Sequence, residues 1–315
     1  MSGSQVRDGH GEARGLFFGI DREISPLKAD LILLMVTLIW GGTFPVLKIL
    51  VTALQPMYLV GMRFCLAFIL LTPAAWPKRR QLDRGTVQNG IILGLLIWGG
   101  YLSQTIGIQY TTASKAAFIT ALSVVITPIL AAVLLRKKPE REAMVGVVLA
   151  VLGLAFLTLD FSDPLALQKG DLWVLACAFL CAVQIIAVDR YAAFSDPVLL
   201  TWVELGTVAV VGLVVAVLVE PVPQIQGITA WGCLFYLAFF GTALAQYLQL
   251  RVQPHTTPTR VSLIFSLEPV FAAILAFLFL KERLPLVGKL GACLMLLGLL
   301  VSELGYRNGL KAQTR

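Results

Sequence analysis

Polar side chains that recur at helical spacing inside apolar stretches are the residues of this sequence best suited to bind a solute. Trp98, Tyr101 and Thr105 stand at positions i, i+3 and i+7, and Gln246, Gln249 and Gln253 repeat this spacing further along the chain. An amide in apolar surroundings needs a hydrogen-bond partner, so it faces protein or water. Hydrogen bonds between helices would explain such residues without any ligand. The candidates for solute contact are Trp40, Phe44, Trp98, Tyr101, Gln104, Gln184, Gln246, Tyr247, Gln249 and Glu268.

The acid Glu268 and the proline that follows it, Pro269, lie inside an apolar run. Proline removes an amide donor and frees the carbonyl of Phe265, and a buried acid costs about 2.5 kcal/mol or more at the centre of a membrane helix. Three roles stay open for Glu268, namely tying helices together, contacting a substrate or carrying a proton. Helix kinks are predicted at Pro45, Pro128 and Pro269. Since Pro128 lies one turn beyond the position equivalent to Glu268, the two proline-containing helices are expected to bend at different depths.

Four further charges lie in or beside apolar runs. Arg63 and Glu204 are each several residues inside a run, and we interpret them as structural or gating charges that could pair with each other or contact a substrate. Lys115 and Arg260 begin two other runs. They could attract an anionic group, although anchoring at the membrane interface explains them equally.

The elements that must position these residues are membrane helices. Hydrophobic residues make up 58% of the 315 residues, charged residues only 14%, and mean hydropathy is +0.84, whereas soluble domains contain about 25% charged residues. Continuous apolar runs of about 20 residues predict helices and exclude the alternating pattern of a membrane barrel. Ten runs qualify: 30–49, 57–75, 90–109, 116–135, 143–160, 172–189, 198–219, 230–250, 261–280 and 286–304. We predict an all-α polytopic membrane protein with ten transmembrane helices.

Metal, cofactor and enzyme chemistry find little support in the sequence. The five cysteines lie in apolar runs without a CxxC pair, and we interpret all of them as small buried residues. Cys177 and Cys181 are one helical turn apart, but two thiols are too few for a zinc site. Phosphate-loop, HExxH and GxSxG motifs are missing from the sequence. We therefore predict no metal, no cofactor and no enzymatic activity.

The basic residues predict the orientation of the chain. With the N-terminus inside, 18 Lys and Arg residues fall on the inner side and 6 on the outer side, while Arg63 stays within a span. This bias favours cytoplasmic tails at 1–28 and 305–315. The net charge of +7 belongs to these short clusters between runs, so we expect no nucleic-acid partner.

An internal repeat relates the two parts of the chain. A shift of 141 residues places Asp30 on Asp171, and a shift of 145 places Lys115 on Arg260. The predicted halves are 29–161 and 170–304. Because each half contains an odd number of helices, the second half must be inverted, as is typical of secondary transporters.

The sequence resembles the drug/metabolite transporter superfamily, and in particular its EamA-type family. The residues that carry the resemblance are Leu38-Ile39-Trp40-Gly41-Gly42-Thr43-Phe44, Arg63-Phe64, Thr111-Thr112-Ala113-Ser114-Lys115-Ala116-Ala117-Phe118, Pro258-Thr259-Arg260, Leu267-Glu268-Pro269 and Lys281-Glu282-Arg283. The resemblance covers roughly residues 30–304. It implies two EamA domains of five helices and the export or exchange of small metabolites.

These observations together predict a transporter of the bacterial cytoplasmic (inner) membrane that works by alternating access. A small metabolite such as an amino acid is the expected substrate, and protons are a candidate coupling ion. A larger polar or anionic solute, such as a nucleotide-sugar or phosphate ester, is the alternative substrate, and a membrane-embedded lipid-modifying enzyme is the more distant rival. Besides the substrate and the lipid bilayer we expect no other partner, and the protein should be a monomer or a weak dimer.

Overall fold

A computed structural model describes residues 24–111, 113–134, 141–158, 169–225, 227–280 and 286–301, the last range with gaps at 288, 292, 295, 299 and 300. All regular secondary structure in these ranges is helical. The α-helices are α1 (Pro26–Leu50), α2 (Pro56–Ala75), α3 (Arg84–Tyr110), α4 (Ala113–Thr120), α5 (Ser123–Leu134), α6 (Arg141–Thr158), α7 (Lys169–Tyr191), α8 (Pro197–Val219), α9 (Ile228–Ala238), α10 (Ala245–Val252), α11 (Pro258–Phe265) and α12 (Glu268–Leu280). A π-helical segment, Phe239–Leu244, joins α9 to α10, and short 3-10 turns follow α2, α7 and α10.

Within the described part of the chain, seven helices are long and apolar enough to cross a membrane. They are Pro26–Leu50, Pro56–Gln81, Arg84–Tyr110, Lys169–Phe194, Pro197–Val219, Ile228–His255 and Pro258–Leu275. The first three and the sixth to ninth predicted runs lie on them. The fourth run forms α4 and α5, the fifth forms α6, and the tenth is described only in part. The prediction of an all-helical polytopic membrane protein is confirmed.

Local sequence signals explain where several helices begin. Proline occupies the first position of α1, α2, α8 and α11, where no amide donor is required. Ser25, Asp83, Asp196 and Thr257 precede α1, α3, α8 and α11, and each side chain accepts a hydrogen bond from a first-turn amide. Because α1 begins at Pro26, it starts four residues before the predicted apolar run.

The main helix contacts join the two parts of the chain. Helix α2 packs extensively on α8, α3 packs on α7 and α8, and α1 packs on α12. At the crossing of α2 and α8, a Cβ atom added to Gly61 would lie 2.9 Å from the amide nitrogen of Leu213, and one added to Gly212 would lie 3.0 Å from the Cα atom of Gly61. Glycine at both positions therefore allows the two backbones to touch, as small residues do in membrane helix pairs.

Two of the apolar runs are each broken into a pair of helices. Helices α4 and α5 are separated at residues 121–122, and α11 and α12 are separated at residues 266–267. The two breaks are 145 residues apart, which is the offset of the internal repeat. The expectation of bends at different depths is therefore not met, because the break before α5 lies well ahead of Pro128. Helix α1 continues without interruption past Pro45, and Pro269 is the second residue of α12.

Candidate functional site

A cavity of about 70 Å³ lies where the two broken helices meet α1, α3, α7 and α10. Its lining combines amides, aromatic rings, two thiols and one carboxyl group. The lining residues are Trp40, Thr43, Leu96, Ile97, Gly100, Tyr101, Gln104, Thr120, Ala121, Ser123, Cys177, Leu180, Cys181, Gln184, Ile185, Gln246, Gln249, Phe265 and Glu268.

Both helix breaks deliver residues to this cavity. Thr120, Ala121 and Ser123 flank the first break, and Phe265 and Glu268 flank the second. Backbone groups at a helix break lack regular partners and are tolerated at membrane depth only where protein or a cavity surrounds them. The broken helices therefore place short polar segments, including the first residue of α12, against the same space.

Each of the four glutamines that line the cavity takes part in a hydrogen bond. The Nε2 atom of Gln249 donates to Oε1 of Gln184 at 3.3 Å and to Oε1 of Gln253 at 2.9 Å, and Gln253 in turn donates to the carbonyl of Ile185 at 2.6 Å. These bonds join α10 to α7. The Gln246 and Gln104 amides make longer contacts of 3.4 Å with the Tyr101 hydroxyl and the Thr120 hydroxyl, respectively. The list of predicted solute contacts thus includes residues that also tie helices together.

Three amide atoms of these side chains have no hydrogen-bond partner among the described residues. They are Oε1 of Gln246, Oε1 of Gln249 and Nε2 of Gln184, and all three side chains are buried. A buried polar atom left without a partner costs about 1–3 kcal/mol. Two acceptors and one donor on residues that line the cavity are therefore left unsatisfied within the described part of the chain.

The π-helical segment organises one wall beside the cavity. The carbonyl of Gly241 accepts hydrogen bonds from Nε1 of Trp40 and from Nη2 of Arg63, both at 3.0 Å. Arg63 also donates through Nε to the hydroxyl of Thr242 at 2.6 Å, and its guanidinium lies 4.7 Å from the centre of the Tyr101 ring. Single π turns in α-helices often accompany functional sites. Arg63 is thus held behind cavity residues and does not line the cavity.

The predicted pairing of Arg63 with Glu204 is not found. Arg63 is bound to Gly241 and Thr242, while both carboxyl oxygens of Glu204 lack a hydrogen-bond partner among the described residues. Glu204 lies fully buried in α8 and away from the cavity. Sequence spacing placed the two charges at equivalent repeat positions, but equivalence does not bring them into contact.

Of the other two predicted charges, the structure describes the side chain of Arg260, which does not line the cavity. Arg260 forms a buried salt bridge with Asp30 that joins α11 to the start of α1. Lys115 belongs to α4, but its side chain lies outside the described residues. Arg260 therefore contacts a carboxylate near the start of a helix, and the described cavity lining contains none of Arg63, Glu204 and Arg260.

Three of the predicted solute contacts lie elsewhere. Phe44 is buried in an apolar cluster, and Trp98 packs in another. Tyr247 lines a separate cavity of about 410 Å³ at the end of the helices, where its hydroxyl accepts a hydrogen bond from Arg251 at 3.2 Å. The other seven, Trp40, Tyr101, Gln104, Gln184, Gln246, Gln249 and Glu268, line the central cavity.

Two cavity cysteines correct the interpretation of all cysteines as buried apolar residues. Cys177 and Cys181 both line the cavity, with their sulfur atoms 3.7 Å apart, and Cys293 is exposed. Cys177, Cys181 and Gln184 lie at i, i+4 and i+7, which places them on one face of a helix. The argument from helical spacing that selected Gln246 and Gln249 could therefore have selected these two cysteines as well. In the described residues no group of three or more His, Cys, Asp or Glu side chains is close enough to hold a metal ion.

Comparison with known proteins agrees with this architecture. The profile of the EamA-like transporter family matches residues 27–159 and again residues 168–304. The chain belongs to the EamA-like transporter family. It is therefore an integral membrane protein of a transporter family within the drug/metabolite transporter superfamily.

Individual relatives cover nearly the whole chain. An uncharacterized transporter of Archaeoglobus fulgidus is 32% identical over 281 residues, which is 89% of this chain and 87% of the relative. A probable amino-acid metabolite efflux pump of Salmonella typhimurium is 24% identical over 294 residues, 89% of this chain and 96% of the relative. A crystal structure with 18% identity matches with a TM-score of 0.73 over 89% of this chain and 98% of that chain, which shows a shared fold.

Proposed function

We propose that this transporter is a secondary carrier that exports or exchanges a small metabolite, such as an amino acid, by alternating access through the central cavity. The observation that carries the proposal is that two helices, broken at positions 145 residues apart, border the same cavity. Broken helices that meet at a midplane site are typical of secondary transporters.

The proposed topology consists of ten helices in two inverted halves, 29–161 and 170–304. Two separate matches to the family profile support this division. The 18 to 6 distribution of basic residues supports cytoplasmic tails at 1–28 and 305–315 in a bacterial inner membrane. In such a carrier the two halves exchange conformations, so the inward-open and outward-open states have similar free energies.

The chemistry of the cavity supports a small polar or aromatic solute. Four amides and three aromatic rings stand among the 19 described lining residues, and this lining contains no Lys, Arg or His. A nucleotide-sugar or phosphate ester would require basic groups to neutralise phosphate charge, so this alternative is the weaker one. Glu268 lines the cavity and is our candidate for exchanging a proton with the solute.

Counterflow in proteoliposomes tests the proposal. Vesicles containing purified protein and loaded with a mixture of metabolites should accumulate at least one labelled member of that mixture, and unlabelled solute should saturate the uptake. The variant Gln249→Leu should lower uptake because it removes the link between α10 and α7 beside the cavity. The lipid-facing variant Leu218→Ala, at a side chain that is 78% exposed, should leave uptake unchanged. Failure of a broad metabolite panel to show saturable counterflow under any gradient would contradict the proposal.

A further inference from the structure

The unpartnered acceptors of the cavity point to the chemical class of its ligand. The Nε2 atom of Gln249 already donates to Gln184 and Gln253, and that of Gln246 donates to Tyr101, so each carbonyl oxygen is the atom left over. The two side chains are 0% and 2% exposed, respectively. Since both side chains line the same cavity, a ligand with several hydrogen-bond donors on one atom is the class that matches these two acceptors.

The charged group of the cavity favours a cation. Glu268 contributes the one carboxyl group of the described lining, and no basic side chain of the described residues lines the space beside it. The nearby guanidinium of Arg63 is occupied by Gly241, by Thr242 and by the ring of Tyr101. Trp40 and Phe265, whose ring centres lie 5.0 Å apart, add aromatic surface, which also attracts cations.

We propose that the cavity is a site for a protonated primary amine, in which Glu268 and the side-chain oxygens of Gln246 and Gln249 receive the ammonium group. The inference rests on the proposed function and specifies its substrate class. An ammonium group presents three donors and one positive charge, which match two free carbonyl oxygens and a carboxylate. Among the buried unpartnered atoms of the described lining one is a donor, Nε2 of Gln184, and the described lining offers no cation for a solute carboxylate. Amines should therefore be preferred to the corresponding amino acids, and amino acids to the corresponding acids.

The native cysteines of the cavity make the charge preference measurable without transport. A thiolate attacks a methanethiosulfonate reagent, forms a mixed disulfide and releases methanesulfinate. We would treat the purified full-length protein with the aminoethyl reagent, which carries a primary ammonium, and with the sulfonatoethyl reagent, which carries an anion. Labelling rates at Cys177 and Cys181, read by peptide mass spectrometry, would be divided by the rates with a free thiol in solution.

A normalised rate at least tenfold higher for the ammonium reagent is expected. Glu268→Gln should reduce this ratio at least threefold, and Gln246→Met should reduce it to a smaller extent. Glu204→Gln is the matched control, because that carboxyl group also lies within the helix bundle but outside the cavity, and it should leave the ratio unchanged. The wild-type ratio tests the proposal even where a variant does not fold.

Equal normalised rates for the two reagents would overturn the proposal, and so would a ratio that survives Glu268→Gln in folded protein. Protection of both cysteines from both reagents would also overturn it, since a cavity that no small reagent enters is not a ligand site. Counterflow separates this inference from the proposed function. If the protein transports acids saturably and the two reagents label the cavity equally, the inference alone is contradicted. If the cationic reagent is preferred but no transport is detected, the proposed function alone is contradicted.

Discussion

Two buried glutamates of the same chain occupy contrasting surroundings. Glu268 is the first residue of α12, directly after a helix break, and its side chain lines the central cavity. Glu204 lies in the uninterrupted helix α8, is 0% exposed, and has no hydrogen-bond partner for either oxygen among the described residues. Both acids are costly inside a membrane, but only Glu268 stands where a solute or water can reach it.

The contrast follows from helix geometry. At the start of a helix the first amides lack intrahelical partners and the helix dipole favours a negative charge. In the middle of a helix all backbone groups are bonded, and the side chain depends entirely on its neighbours. The backbone of Glu204 lies against Gly90 and Gly94 of α3, and these two residues offer no side chain to pair with a carboxyl group. An acid at a helix break is thus suited to ligand binding, and an acid inside a helix is a local cost to stability.

The largest difference should appear in transport. Glu268→Gln removes a charge from the cavity, and the loss of a charge-assisted hydrogen bond of about 1.5–3 kcal/mol corresponds to a roughly 10- to 100-fold loss. Counterflow rates should fall by that factor, while the thermal unfolding midpoint in detergent stays close to that of the wild type. Glu204→Gln in the same assay should retain most of the transport. If the two variants lost transport to the same extent, the proposed functional difference between the two acids would be wrong.

The packing around Glu204 should be sensitive to added volume. A Cβ atom at Gly94 would lie 2.7 Å from Cβ of Thr207 and 2.8 Å from the carbonyl oxygen of Glu204. Gly94→Ala should therefore push α3 from α8 and destabilise the protein by about 1–3 kcal/mol. The control is Gly99→Ala, whose new methyl group would meet only the end of the Leu180 side chain at 3.1 Å. Unfolding midpoints of the two variants measure the difference, and a Gly94→Ala protein as stable as the control would refute close packing at this crossing.

Removing the buried acid should stabilise the fold. Glu204→Leu replaces two unpartnered oxygens with apolar atoms of similar volume, so we expect a gain of about 1–2 kcal/mol in the free energy of unfolding. Glu204→Gln should gain less, because it keeps two polar atoms at the same place. Denaturant or thermal unfolding in detergent checks both values. A loss of stability in Glu204→Leu would mean that the carboxyl group makes a favourable interaction.

How far the sequence predicted this molecule depends on the range of the interactions involved. Continuous apolar runs predicted the helices, because this signal is local. Spacing also found Gln246 and Gln249, which share one face of α10 and line the cavity.

The sequence did not predict the contacts between helices that are distant along the chain. Phe44 is adjacent to the cavity residue Thr43 but turns into an apolar cluster, and the side to which it turns is decided by the packing of α1. Likewise the π turn at Gly241, which receives both Trp40 and Arg63, has no sequence signal that we recognised. The pairing of Arg63 with Glu204 was mistaken because equivalent repeat positions lie on equivalent helices rather than next to each other.

A third acid, Asp83, lies outside the membrane spans. Its replacement should have the smallest effect, and it serves as a reference for the effects of Glu268 and Glu204. Asp83 caps α3, and its carboxylate accepts hydrogen bonds from the amides of Thr86 at 3.0 Å and Gly85 at 3.2 Å. Hydrogen bonds from the side chain and backbone of Thr86 hold the pKa of Asp83 below its ordinary value of 3.8. Since the folded-state pKa is lowered, the stabilisation is present above the unfolded pKa and is lost as pH falls through the folded value.

Asp83→Ala should therefore cost about 1 kcal/mol at neutral pH, and the difference from the wild type should shrink below about pH 4. Asp83→Asn is the matched control, because asparagine caps helices nearly as well but does not titrate. Its stability should follow that of the wild type at neutral pH. Unfolding midpoints measured between pH 3 and pH 7 test this expectation. A constant gap between Asp83→Ala and the wild type over that range would show that Asp83 stabilises α3 by something other than its charge. The effects of the two membrane acids would then have to be judged without this reference.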